Sequence, residues 1–271
     1  MSKQSGKSSR VIAIVNQKGG VGKTTTTINL ATALAATGRK TLMIDLDPQG
    51  NASTGLGLGQ GDRNNSIYDV LLGGSSLRDV VIDTEIPNLQ IAPANVNLAG
   101  AELELVDQDR RSYKLRDALE SLKDGNGDDS LDYVLIDCPP SLNLLTLNAL
   151  AASDSVLVPL QCEFFALEGL SLLLRTIERV QAGLNPALLM EGVVLTMYDG
   201  RNNLAQQVQD DVRSYLGDDV FGTVIPRNIR LSEAPGYGMP ALIFDHNCTG
   251  SKAYIALAAE LLKRNKALQA A

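Results

Sequence analysis

Lys18 and Lys23 bracket three glycines in the run Lys18-Gly-Gly-Val-Gly-Lys-Thr-Thr25. An apolar segment at residues 11–15 precedes the run, and a segment with helical spacing follows it. A buried strand, a glycine-rich turn and a helix start are the parts of a phosphate cradle. Gly19, Gly20 and Gly22 let successive backbone N–H groups turn inward around phosphate oxygens, because no Cβ obstructs them. The helix turns its positive end to the same anion. In that setting the Lys23 ammonium reaches the β- and γ-phosphates, and the Thr24 hydroxyl can ligate Mg²⁺. The run departs from G-x-x-x-x-G-K-[ST] at its first position, where Gln17 stands in place of glycine. It carries instead a second lysine, Lys18, surplus to a cradle that Lys23 already serves.

Two aspartates end apolar, strand-like segments: Asp45 after residues 41–44 and Asp137 after residues 133–136. Acids at the carboxyl ends of parallel strands lie on the ligand-binding edge of a sheet. Asp137 is read as the Mg²⁺ ligand, direct or through water, and Asp45 as a support of the metal shell. The residue after Asp137 is Cys138, not a glutamate base. Water activation therefore has to come from elsewhere, and Cys138 reads as a small buried side chain.

These residues need a sheet to hold them. Strand-like segments recur at 11–15, 41–44, 89–92, 133–136, 155–159, 193–196 and 223–225. Between them, residues 24–36, 115–122, 167–180, 205–216 and 253–266 carry apolar side chains at three- and four-residue spacing. Most of the strands are apolar without alternation, as strands buried on both faces are. The expectation is an α/β, single-domain P-loop NTPase with a mainly parallel twisted sheet covered by helices on both faces. The domain is expected over residues 10–269, after a disordered polar tail at 1–9. The acidic stretch at 123–132 reads as a solvated turn.

Composition removes other classes. The chain has 271 residues, enough for a sizeable core, and one histidine, His246. A His-rich metal site is excluded, and a Ser-His-Asp triad would hang on that one residue. The three cysteines, Cys138, Cys162 and Cys248, form no CxxC pair; a zinc ribbon and an iron–sulfur cluster are both disfavoured. There is no Trp, and aromatics total 4%, poor material for base stacking. No apolar run is long enough for a membrane span, and the N-terminus lacks an apolar signal core. Net charge is −7. The first 40 residues hold seven basic side chains and no acid. Nucleic-acid binding would need a local patch, one that assembly could complete.

The run K-G-G-V-G-K-T-T resembles the deviant Walker A motif of the ParA/MinD ATPase superfamily. In that superfamily the first lysine reaches across a nucleotide-sandwich dimer, and Lys18 matches it. Asp47-Pro-Gln-Gly-Asn51 resembles the switch I segment, which implies that Asp47 positions the attacking water. Further similarity lies in Gln161-Cys-Glu-Phe-Phe-Ala-Leu-Glu-Gly-Leu170, in Thr196-Met-Tyr-Asp-Gly-Arg-Asn-Asn-Leu204 and in Val224-Ile-Pro-Arg-Asn-Ile-Arg-Leu-Ser-Glu-Ala-Pro235. All resemble chromosomal, Soj-type ParA partition ATPases, from about residue 11 to about residue 262.

The resemblance implies an ATP site built from Lys18, Gly19, Gly20, Val21, Gly22, Lys23, Thr24 and Thr25. Pro226, Arg227 and Asn228 would line the adenine pocket, with Met197 packing on the base. Catalytic roles fall to Lys18, Lys23 and Asp47, and metal-holding roles to Thr24, Asp137 and Asp45. The family's ATP-bound homodimer binds double-stranded DNA without sequence preference. Arg201 and Arg230 match positions of that contact; Lys252 and the basic group at Lys263, Arg264 and Lys266 are weaker candidates. A ParB-type centromere-binding protein would stimulate turnover, and the location implied is cytoplasmic and nucleoid-associated. Two alternatives stand beside this reading. One is a MinD-like membrane-cycling ATPase. Against it, Tyr254, Leu257, Leu261 and Leu262 suit packing on the sheet, and only Leu268 follows as a bulky apolar anchor. The other is an ATP-dependent metabolic synthetase on the same fold.

Overall fold

The apolar run around residue 12 forms β1 (Arg10–Ile14) at the centre of an eight-stranded sheet. The other strands are β2 (Thr41–Asp45), β3 (Ile82–Asp83), β4 (Leu89–Ala92), β5 (Tyr133–Asp137), β6 (Ser155–Gln161), β7 (Leu189–Tyr198) and β8 (Val220–Pro226). They lie in the order β3-β4-β2-β5-β1-β6-β7-β8. All neighbours pair in parallel except β3 on β4. The short antiparallel edge strand is a departure from the sequence expectation, since two residues carry no periodic signal. This computed structural model describes residues 9–123 and 130–270. The polar tail expected at 1–9 lies outside them except for Ser9, as do residues 124–129 of the acidic stretch.

Alternate side chains of each strand enter opposite cores. Val11 and Ala13 of β1 join one, with Leu42, Ile44, Val134 and Ile136. Ile12 and Ile14 join the other, with Met43 and Leu135. Both sets are apolar because both faces are covered. The second core is closed by α1 (Lys23–Ala36), α2 (Asn51–Gly55), α10 (Ile229–Glu233), α11 (Ala241–Phe244) and α12 (Thr249–Ala270). The first is closed by α3 (Ile67–Leu71), α4 (Leu77–Val80), α5 (Leu98–Leu105), α6 (Lys114–Lys123), α7 (Leu144–Ala152), α8 (Ala166–Gly183) and α9 (Asn203–Leu216). Parallel strands need such crossovers, and they bring the carboxyl ends of β1, β2, β5, β6 and β7 to one edge.

The last helix is bound to the sheet. Tyr254, Leu257 and Leu261 are buried, and Tyr254 Oη lies 3.1 Å from Thr26 Oγ1 of α1. Glu260 accepts the N–H groups of Gly222 and Thr223 at 2.8 and 2.9 Å. Arg264, expected among the weaker DNA candidates, is engaged within the fold. It donates to the carbonyls of Asp218 and Val220 at 3.0 Å and stacks over the Phe221 ring at 4.1 Å. Its guanidinium fixes α12 against the start of β8.

Candidate functional site

The glycine-rich loop leaves β1 in the middle of the sheet and is pinned by the two strands that follow β1 on one side. Asn16 Nδ2 donates to the Pro159 carbonyl of β6 at 2.7 Å, and Asn16 Oδ1 accepts the Lys18 N–H at 3.0 Å. Thr196 Oγ1 of β7 donates to the Val21 carbonyl at 2.8 Å. Gly20 and Gly22 have φ values of 76° and 89°, a region that side chains disfavour. Gly22 is also the N-cap of α1, and no side chain caps that end. Its first-turn N–H groups therefore remain available to an anion.

Lys23 is 6% exposed and donates to the Lys18 carbonyl at 3.0 Å. Burial pushes its ammonium pKa down, while Asp137, Cys138 and Asp47 pull it back up. Asp137 stands abreast of Asp45 in the β2–β5 register, and both are fully buried. Thr27 Oγ1 donates to Asp137 Oδ1 at 3.0 Å, but Asp137 Oδ2 is buried with no hydrogen-bond partner. Burial, and then the neighbouring Asp45, push the Asp137 pKa up to about 8, against hydrogen bonding from the Thr24 and Thr27 side chains. An orphaned carboxylate oxygen beside a second acid fits a divalent cation, which would offset both costs.

Asp45, expected to support the metal shell, is committed to the backbone beyond it. Its Oδ2 accepts the Ser53 N–H and hydroxyl at 2.8 and 2.6 Å, and its Oδ1 accepts the Asp47 N–H at 3.3 Å. The acid thereby ties α2 and the Asp47 turn to the sheet. Asp47 is largely buried, and its Oδ1 accepts the Gln49 N–H at 3.0 Å. Arg63 closes the same turn from outside, donating to the Gly50 carbonyl at 3.1 Å and to Thr54 Oγ1 at 2.7 Å. The sequence reading singled out neither Ser53 nor Arg63. They stand eight and eighteen residues beyond Asp45 with no motif spacing to mark them.

Lys18 is exposed, and its ammonium pairs with Glu163 of the same chain. Met197 lies against the loop: a Cβ on Gly22 would come within 4.0 Å of Met197 Cε. Its φ of 50° is left-handed, a strain that sites at strand ends often hold. The Arg227 N–H donates to the Tyr198 carbonyl at 3.0 Å, which joins the ends of β7 and β8. Pro226 ends β8, and Asn228 caps α10, accepting the Arg230 N–H and donating to Thr249, each at 2.8 Å. The phosphate loop, Asp45, Asp47, Asp137 and Met197 thus share one edge of the sheet. Arg201 follows the end of β7, Arg230 lies on α10, and Lys252 is exposed in the first turns of α12. Cys138 is 1% exposed, and burial pushes its thiol far up, in keeping with a packing role.

A glycine cradle at the centre of a parallel sheet, with a buried lysine and a buried strand-end acid, defines a P-loop nucleotide-binding protein. A family model described as an AAA domain matches residues 9–190. The chromosome partitioning protein ParA of Caulobacter vibrioides is 59% identical over 96% of this chain and 97% of its own. The sporulation initiation inhibitor protein Soj of Bacillus subtilis is 51% identical over 93% and 98%. Cobyrinic acid a,c-diamide synthase from Mycobacterium smegmatis, solved with ADP and magnesium, superposes with a TM-score of 0.82. It is 39% identical over 95% of this chain and 96% of its own. The chain belongs to the ParA/Soj family of chromosome-partitioning ATPases.

Proposed function

We propose that this chain hydrolyses ATP with Mg²⁺ and couples the nucleotide to reversible binding of DNA as a homodimer. The observation that carries the reading is the buried, unpartnered Asp137 Oδ2 beside the uncapped start of α1 and the buried Lys23. Thr24 and Asp137 would hold the ion, with Asp45 behind them, and Mg²⁺ there would neutralise phosphate charge. The backbone N–H groups of residues 19–25 and the Lys23 ammonium orient the phosphates and stabilise charge on them. Asp47 lies at the same edge and holds the attacking water at its carboxylate. Cys138, not a glutamate, follows Asp137, so the site lacks the usual general base and intrinsic turnover is slow. Pro226, Arg227, Asn228 and Met197 close the base pocket.

Lys18 acts across the dimer. It is exposed, and an exposed pair with Glu163 is worth at most about 1 kcal/mol, so phosphate can displace it. Dimerisation doubles the surface that carries Arg201, Arg230 and Lys252. Affinity for DNA rises steeply with the number of phosphates neutralised, so the pair binds where one protomer does not. A ParB-type partner stimulates turnover, and the protein works at the nucleoid. Two observations favour this over the alternatives. The apolar side of α12 is buried in the core, which leaves little for a membrane, and no described helix is long and apolar enough to cross one. The crevice beside the loop, lined by Asn16, Gln17, Ser141 and Leu173, is too tight to admit a small molecule, which leaves a synthetase's acceptor no room there.

The test is binding to a random-sequence duplex with ATP, with ADP and without nucleotide, at two salt concentrations. Tight, salt-sensitive binding with ATP alone is expected, and Lys18→Ala should abolish both it and the ATP-dependent dimer. Asp47→Ala should give a dimer that outlives the wild-type one. Hydrolysis without DNA binding in any state would overturn the DNA half of the proposal.

A further inference from the structure

The arginines placed on the DNA-facing surface are each held by carboxylates of the same chain. Arg201 shows this most completely. Its side chain is 91% exposed, yet Nε donates to Asp199 Oδ1 at 2.9 Å and Nη2 to Asp199 Oδ2 at 2.8 Å. The Arg201 backbone N–H reaches the same carboxylate at 3.1 Å. Arg230 donates to Glu233 at 2.9 Å and lies 3.6 Å from Asp245, its guanidinium 5.9 Å from the Phe244 ring centre. The Asp199 carboxyl is pulled down to about 2, first by its Arg201 hydrogen bonds, with Arg227 adding to the effect.

Such a pair adds little to stability, because water screens it and two flexible side chains must be ordered. Its geometry matters more. A two-point fork on a carboxylate is the geometry a guanidinium uses for phosphate. Of its five N–H donors, the fork occupies two and leaves three. Asp199 therefore fixes the direction of Arg201 while cancelling its charge at the distance where a phosphate would sit.

We propose that Asp199 is an affinity-setting residue: it orients Arg201 for DNA phosphate and offsets its charge, so that one protomer's surface stays below the binding threshold. The proposal rests on the DNA reading above. Glu233 plays the same part toward Arg230.

The experiment measures equilibrium binding of the full chain, with ATP, to a random-sequence duplex across a salt series. The proteins are wild type, Asp199→Asn, Glu233→Gln, Arg201→Gln and the Asp199→Asn/Arg201→Gln double variant. Asparagine keeps the acceptor oxygen for the Arg201 N–H, so the turn is preserved; thermal midpoints check the fold. Asp199→Asn should tighten binding about tenfold at low salt and steepen the log K against log salt slope by about 2, one phosphate per protomer. Glu233→Gln should act in the same direction. The double variant should match Arg201→Gln. Unchanged or weaker binding by Asp199→Asn would overturn the proposal, leaving Asp199 as a support for the turn. A double variant that still binds more tightly than Arg201→Gln would overturn it too, since the effect would not pass through Arg201. If Arg201→Gln binds as wild type does, the proposal falls because Arg201 takes no part in the contact; if wild type does not bind, the DNA reading itself falls.

Discussion

Lys23 and Arg201 both lie at the carboxyl edge of the sheet, under opposite conditions. Lys23 is 6% exposed, donates to its own loop's carbonyl and lies in the field of the buried Asp137 and Asp47. The Arg201 side chain is 91% exposed and answered by one carboxylate of its own turn. Around Lys23, desolvation shifts the protonation equilibria of Lys23, Asp45 and Asp137 together. Around Arg201, the shift comes from hydrogen bonding within an ion pair. Burial makes the phosphate loop a place where one changed atom alters both chemistry and stability. Exposure makes the arginine surface a place where charge can be rearranged at little cost to the fold.

Substitutions can break that contrast or sharpen it. The largest effect is expected at Lys23. Lys23→Ala should lower turnover by about 10²–10³-fold, or about 3–4 kcal/mol, read from phosphate release at saturating ATP. A loss under fivefold would mean that the buried cation does little for the phosphates. Asp137→Asn separates chemistry from stability. Hydrolysis should be lost, while without Mg²⁺ the melting midpoint should rise, by about 1 kcal/mol of stability, because an acid that folding must either bury charged or protonate is gone. A lower midpoint would show that the carboxylate is better satisfied than its unpartnered oxygen suggests.

Gly22→Ala probes the backbone. The added Cβ would meet Thr196 atoms at 3.9 Å, an ordinary contact, so only the φ of 89° opposes it. The cost should be about 1–2 kcal/mol in urea unfolding, and no cost would mean that the loop relaxes freely. The smallest effect is expected at Glu260, away from both regions. Burial raises its pKa, but the N–H groups of Gly222 and Thr223, the Thr223 hydroxyl and Arg264 more than reverse this. The folded-state pKa is therefore below the unfolded one. Its contribution is present above the unfolded carboxylate pKa and is lost as pH falls through the lower, folded value. Glu260→Gln should cost about 1 kcal/mol at neutral pH and flatten the acid limb of a stability–pH profile. An unchanged acid limb would place the acid sensitivity elsewhere.

Much of the site was legible in the sequence because its parts are local. Residues 18–25 define a loop within eight positions, and Asp45 and Asp137 each end a recognisable apolar run. The strands at 89–92 and 133–136 were placed almost to the residue, since buried parallel strands are dense in apolar side chains. The short helices at Asn51–Gly55, Ile229–Glu233 and Ala241–Phe244 were not foreseen, because one turn has no period to detect. The partners Glu163, Ser53, Arg63 and Asp199 were also missed. Each is an ordinary polar residue whose role exists only through its contact.

Short stretches of sequence suffice for the phosphate cradle, the strand-end acids and the layered α/β architecture, because backbone freedom, hydrophobic period and motif spacing act locally. Tertiary structure alone decided which charges meet. It set Asp45 beside Asp137 and turned Asp45 toward Ser53. It seated Arg264 on Phe221, away from the solvent-facing basic residues. It gave Lys18 a carboxylate partner, Glu163, 145 residues away. The reason is physical: an electrostatic interaction depends on distance and burial, and for residues far apart in sequence both are fixed only when the sheet assembles.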